Sequence, residues 1–215
     1  MISTRVALLV ALASLTHAAG IVAQSRVTGG IGVTGGLVSV EREIGAVTEE
    51  LSGTVFGAEG AIRFWRVELS GRYVQGAIDT DPATEAFDFV EGELLLGVRP
   101  VRPVLLGFGP HVRSWVEPTG TIRWSHWVVR ARIEAPLLAG GLLQSFVEGW
   151  YAVSGSVNAP NPFQLGRGLA GGLGLTIPST PLHIQLAYRV DRGALDTQAR
   201  IETVEQLSLR VGIGR

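Results

Sequence analysis

The chain has 215 residues, with 18 basic and 19 acidic side chains and a net charge of −1, so it lacks the basic excess of a nucleic-acid-binding face. Apolar residues make up 46% and charged ones 17%, which leaves ample surface to bury and excludes a disordered chain. Cysteine is absent, which removes disulfide frameworks, zinc–thiolate sites and thiol nucleophiles, and the basic residues are all arginine.

Residues 1–23 read as a secretory signal peptide. Met1 to Arg5 carries one positive charge, Val6 to Leu15 is an apolar run of ten, and small residues follow as far as Ala23. As helix that run would span about 15 Å, half of the roughly 30 Å of a bilayer core. Cleavage falls after Ala18 or Ala23, the Ala23–Gln24 bond being preferred, which leaves residues 24–215 as the mature domain. No later stretch reaches eighteen apolar residues, so a membrane-spanning helix is not expected.

From residue 27 onward the dominant period is two, the period of strands. The spacing predicts about ten strands (eight as the alternative): 27–40, 51–63, 66–78, 86–99, 103–116, 121–135, 142–156, 164–177, 182–191 and 200–213. The ninth is the clearest. Leu182, Ile184, Leu186, Tyr188 and Val190 form one face, and His183, Gln185, Ala187, Arg189 and Asp191 the other. Most of these runs exceed the five or six residues common in soluble sheets and suit tilted strands that cross a bilayer. Links alternate in length. Those near 64–65, 100–102, 136–141 and 178–181 are short, whereas 41–50, 79–85, 117–120, 157–163 and 192–199 are mostly longer and polar. The predicted fold is all-β, an antiparallel up-and-down transmembrane β-barrel.

Signal peptide, ten alternating strands and short–long links together resemble the small bacterial outer-membrane β-barrel proteins, over nearly the whole mature chain. One family feature is missing: the last strand ends Val211-Gly-Ile-Gly-Arg215, where such barrels commonly end in an aromatic residue. The resemblance implies location in the bacterial outer membrane, contact with its lipid and with the barrel-assembly machinery, and both termini on the periplasmic side.

Transfer cost decides which face is which. An arginine at mid-depth on the lipid face costs about 2–4 kcal/mol, so the charged face is expected to point inward. Lipid then meets Val67, Leu69, Leu94, Leu96, Val129, Ile133, Leu186, Tyr188, Leu207 and Leu209. Trp65 and Tyr73 share a face eight residues apart. That is ~26 Å along a strand and ~20 Å at a tilt near 40°, close to a ~25 Å apolar band.

The inward face collects a charge network. From the first half of the barrel it takes Glu59, Arg63, Arg66, Glu68, Arg72, Glu91, Glu93 and Arg99. From the second half it takes His111, Arg113, Arg130, Arg132, Glu134, Gln144, Glu148, Arg189, Glu202 and Arg210. Folding the hairpins places Arg130 opposite Glu148, Glu134 opposite Gln144, Glu91 opposite His111 with Arg113 diagonal, and Arg189 opposite Glu202. Such a network fills a lumen, which points to a largely plugged barrel of structural or narrow-pore role.

Two other functions compete. Barrels of this kind include rim enzymes, proteases or lipid hydrolases, and a soluble exported lipocalin-like barrel would turn its apolar face inward around a ligand. Ser125 and His126 are adjacent and so point to opposite faces of a strand, which denies them a nucleophile–base contact. His17, His111, His126 and His183 show no metal-ligand spacing, and the glycine runs at 29–32 and 168–174 lack the lysine and helix of a phosphate loop. No catalytic, cofactor or metal residue is assigned, and a non-enzyme without a cofactor is expected. Glycine here is expected to serve curvature and to make room for aromatic neighbours.

Overall fold

The structure is a computed structural model, described here for residues 27–79, 86–117, 120–138, 141–159, 162–196 and 200–214. The expected signal peptide lies outside the described residues. Ten strands follow in chain order: β1 Val27–Ile44, β2 Val47–Phe64, β3 Val67–Asp79, β4 Ala86–Val101 and β5 Val104–Glu117, then β6 Gly120–Pro136, β7 Leu143–Val157, β8 Phe163–Thr176, β9 Leu182–Leu195 and β10 Arg200–Gly214. Each pairs antiparallel with its neighbour in sequence, and β1 pairs with β10 to close the barrel. Closure removes both sheet edges, so every strand interior has hydrogen-bonded neighbours on either side.

One end holds residues 27 and 214 and is called the terminal end; the other holds the β1–β2 turn and is called the distal end. Several strands run further distally than their hydropathy suggested. The expected 41–50 loop is strand on both sides, with Glu41 paired to Glu50 and Arg42 to Glu49. Only Gly45 and Ala46 turn, and Gly45 has φ of +62°, a conformation open to glycine at little steric cost. Likewise β9 continues to Leu195 instead of stopping at 191. The expected rhythm of links does not hold either. The links 137–142 and 177–181 at the terminal end are longer than the distal turn 45–46.

The reason for the hidden strand ends is an inversion of the in–out pattern along the barrel. Near the terminal end, outward positions are apolar and exposed: Leu69, Leu94, Val129, Leu186 and Leu209 are each 45–51% exposed. The intervening inward positions there are charged and buried, among them Glu68, Arg130, Glu148 and Arg189. Towards the distal end the same strands keep their alternation and exchange their chemistry. Inward positions become Val40, Leu51, Val74, Ile78, Phe89, Trp115 and Val204, all at most 3% exposed, and form one cluster with Trp124 and Leu195. Outward neighbours there are Glu41, Glu50, Asp88, Arg123, Arg192 and Glu205.

The changeover is marked by aromatic side chains. Phe56, Tyr73 and Trp127 face outward at its level and are 48–60% exposed. The Tyr73 hydroxyl donates to Gln75 Oε1 at 2.8 Å, and the Tyr188 hydroxyl to Glu205 Oε2 at 2.7 Å, both on the distal, polar side. Amphipathic rings with an apolar body and a wet tip suit the edge of a hydrocarbon layer. Trp65, in the β2–β3 turn at the terminal end, is 62% exposed. All ten residues expected to face lipid are outward and exposed.

Glycines make room for the interior rings. A Cβ at Gly168 would collide with Trp150 Nε1, Asp191 Oδ1 and the Val190 carbonyl oxygen, so only glycine lets Trp150 lie across β8 to reach Asp191.

Candidate functional site

The charged interior is layered. Its centre is Glu91 on β4, 2% exposed. Arg113 donates to Glu91 Oε2 from Nε at 3.0 Å and Nη2 at 2.7 Å, and Arg72 and Arg189 reach Oε1 at 2.5 and 3.3 Å. His111 Nε2 lies 3.6 Å from the same carboxylate. Asp191 on β9, also 2% exposed, accepts from Arg113 Nη2 at 2.5 Å, Arg189 Nε at 2.9 Å and Trp150 Nε1 at 2.7 Å. Three guanidinium groups therefore share two carboxylates across four strands, a geometry for which arginine's forked donors are suited and lysine's point charge is not.

Towards the terminal end a second layer continues the chain of pairs. Arg130 bonds both oxygens of Glu93 and lies 3.2 Å from Glu148. Arg132 bonds Glu134 at 2.9 Å, Arg99 bridges Glu134 at 2.8 Å and Glu68 at 3.1 Å, and Arg63 donates to Glu68 at 2.9 Å. Arg210 pairs with Glu59 at 2.7 Å, and the Arg132 guanidinium packs 3.9 Å over the Phe146 ring. These pairs surround a cavity of about 280 Å³ whose walls are made by β1 to β10 at the terminal end.

Most of the residues assigned to the network from sequence are brought together here, with three corrections. Arg66 lies in the β2–β3 turn, exposed, its guanidinium 5.2 Å over the Trp65 ring, because the turn takes it out of the alternation it shares with Glu68. Gln144 is exposed at the rim and donates to the Gly141 carbonyl at 3.3 Å. Glu202 belongs to the distal region, where it accepts from Trp115 Nε1 at 3.0 Å and Arg200 Nε at 2.7 Å, well away from Arg189.

The expected cross-strand partners are displaced as well. Glu148 faces Arg132, with Arg130 diagonal to it; Gln144 faces Pro136, and Phe146 faces Glu134. Glu91 faces Arg113 and Glu93 faces His111. Arg189 faces Gln206, and Glu202 faces Gly193. Each slip is an even number of residues, which changes partners without moving a side chain to the other face.

Two contributors were missed, Asp191 and Gln206, and so was Arg42 in the distal region. Asp191 carried a usable signal, since Arg189 and Asp191 are two apart on one strand face and so meet directly. Arg42 lay in the expected loop; its guanidinium packs 4.8 Å over the Trp115 ring and pairs with Glu49 at 3.5 Å.

His111 and His126 stack with ring centroids 5.7 Å apart, inside the barrel, while Ser125 occupies the opposite face of β6. Among the described residues, no group of three or more histidine and carboxylate side chains is placed to hold a metal ion.

No family model matches the chain, and no curated protein matches it. Solved structures do. The outer membrane protease OmpT of Escherichia coli superposes with a TM-score of 0.54 over 88% of this chain and 96% of its own, at 7% identity. The translocator domain of the autotransporter NalP from Neisseria meningitidis gives 0.52 over 95% and 96%, at 11% identity. The fold is thus that of the bacterial outer-membrane β-barrel proteins: closed, antiparallel and ten-stranded. At such identities the likeness is one of fold alone.

Proposed function

We propose that the protein is an exported outer-membrane barrel of structural, non-enzymatic role, whose lumen is closed at the distal end and open as a charged cup at the terminal end. The observation that carries this reading is the inversion along the strands. An apolar outer belt over a charged interior is stable only where lipid surrounds it. A polar outer collar over an apolar interior is the pattern of a barrel standing in water. The belt therefore spans the membrane and the collar projects from it. With both termini on the periplasmic side, the collar is extracellular and the cup faces the periplasm.

Closure was expected from arginine–glutamate pairs. On the present reading they line the cup, and the seal is the cluster around Trp115, Phe89, Ile78 and Trp124. The belt of exposed leucine and valine counts against a soluble lipocalin-like barrel, which would hold those residues inside. The reading includes removal of residues 1–23 on export and insertion by the barrel-assembly machinery.

Purified mature protein, folded in detergent and added to a planar bilayer, should insert without producing conductance steps. Steps of porin-like size would overturn the closed-lumen reading in favour of a channel. A protein that stays monodisperse in buffer without detergent would overturn the membrane reading itself.

A further inference from the structure

We infer that the floor of the terminal cup is a binding site for a small oxyanion, a carboxylate or phosphate group that enters from the terminal end. The inference rests on the proposal that the distal end is closed, which makes the cup a blind pocket instead of a passage.

The first observation is a surplus of donors. Gln206 on β10 is 5% exposed; its Oε1 accepts from Arg72 Nη2 at 2.5 Å, which turns Nε2 into a free donor without an acceptor among the described residues. Directly opposite on β9, Arg189 is 8% exposed and its Nη2 also lacks an acceptor. Arg130 Nε is in the same condition. All three residues line the cavity, and every buried side-chain atom of its lining that lacks a hydrogen-bond partner is a nitrogen donor. Water could meet such donors, but water brings two hydrogens of its own to a place already rich in them. An acceptor-only group fits better.

The second observation is charge. Seven arginines and five glutamates line the cavity, and the layer beneath adds Arg113 against Glu91 and Asp191, which makes eight cations to seven anions. One positive charge is left over across the cup as a whole, counting Arg63, whose side chain is 41% exposed at the rim, so the field of the cup favours an anion. The free donors come from guanidinium edges and an amide, so several oxygens on one planar or tetrahedral group match them, as in arginine forks on carboxylate and phosphate. A monatomic anion offers a single centre and no such fork.

Gln206 supplies the test. Detergent-folded full-length mature protein is titrated with sodium phosphate and, separately, sodium acetate, each against sodium chloride at equal ionic strength, with Tm and calorimetric heat as readouts. Saturable stabilisation by an oxyanion beyond that by chloride is expected. Tighter binding of phosphate assigns a phosphoryl group, and tighter binding of acetate a carboxylate. Gln206→Glu replaces the free donor with an acceptor and cancels the extra charge. It should weaken oxyanion binding at least tenfold and raise Tm in chloride, because Arg72 and Arg189 gain a carboxylate. Gln206→Met, which removes the donor without adding charge, should weaken binding less and serves if the glutamate variant does not fold. Wild-type protein that is demonstrably β-folded and shows no saturable oxyanion binding would overturn the inference, as would unchanged affinity in both variants. Neither result touches the closed-lumen reading, which stands or falls on conductance.

Discussion

Trp115→Ala should be the most damaging single change in the distal interior, with a loss of about 3–5 kcal/mol of unfolding free energy. Trp115 is 0% exposed, packs tilted against Phe89 at a centroid distance of 4.9 Å and lies under the Arg42 guanidinium. Removing the indole opens a cavity that the rigid barrel wall cannot collapse to fill, since the strands are fixed by hydrogen bonds on both sides. It also takes the Nε1 donor from Glu202, which keeps Arg200 as a partner. Trp115→Phe retains most of the ring and should cost markedly less, which separates volume from the hydrogen bond. Denaturant unfolding of the folded protein in vesicles measures both. The alanine variant should in addition produce conductance steps where wild type produces none. A loss below about 1 kcal/mol would mean that the distal interior is not packed as described.

Glu91→Gln should be comparably severe for a different reason. Arg72, Arg113 and Arg189 all converge on that carboxylate, and after neutralisation only Asp191 remains for Arg113 and Arg189, while Arg72 keeps Gln206. Stranding buried cations typically costs about 3–5 kcal/mol. The double change Glu91→Gln with Arg113→Gln removes one of the stranded charges, so it should cost less than the two single changes added, by about 0.5–3 kcal/mol. Strict additivity in that cycle, measured by denaturant unfolding, would show that the Glu91–Arg113 pair is not formed.

Strand number and facing were readable because alternation needs no knowledge of partners. The Leu182–Val190 run shows its apolar face on every second residue whichever strand lies beside it. What failed depends on information that alternation does not carry. Cross-strand partners follow from turn length, and the turns at 65–66, 102–103 and 137–142 differ from the boundaries that polarity suggested, so Arg132 faces Glu148 where Arg130 was expected. Strand ends were lost at Glu41 and Arg192 because polar residues there were read as loop, whereas they are the outward positions of strands that have left the apolar belt. The distal interior escaped for the same reason. Trp115 shares its face with His111 and Arg113, and only the position of the belt edge tells a charged inward face from an apolar one.

The proposed function requires one set of strands to be lipid-clad towards the terminal end and water-clad towards the distal end. Since the chain has no cysteine, single cysteines can be placed along one strand without background. Spin labels at outward positions 67, 69, 75 and 77 of β3, in protein folded into vesicles, report lipid and water access through collisions with oxygen and with a water-soluble nickel chelate. The labels at 67 and 69 should favour oxygen, those at 75 and 77 should favour the chelate, and the crossover should fall at Tyr73. Lipid-like access at all four positions, or water-like access at 67 and 69, would contradict the account.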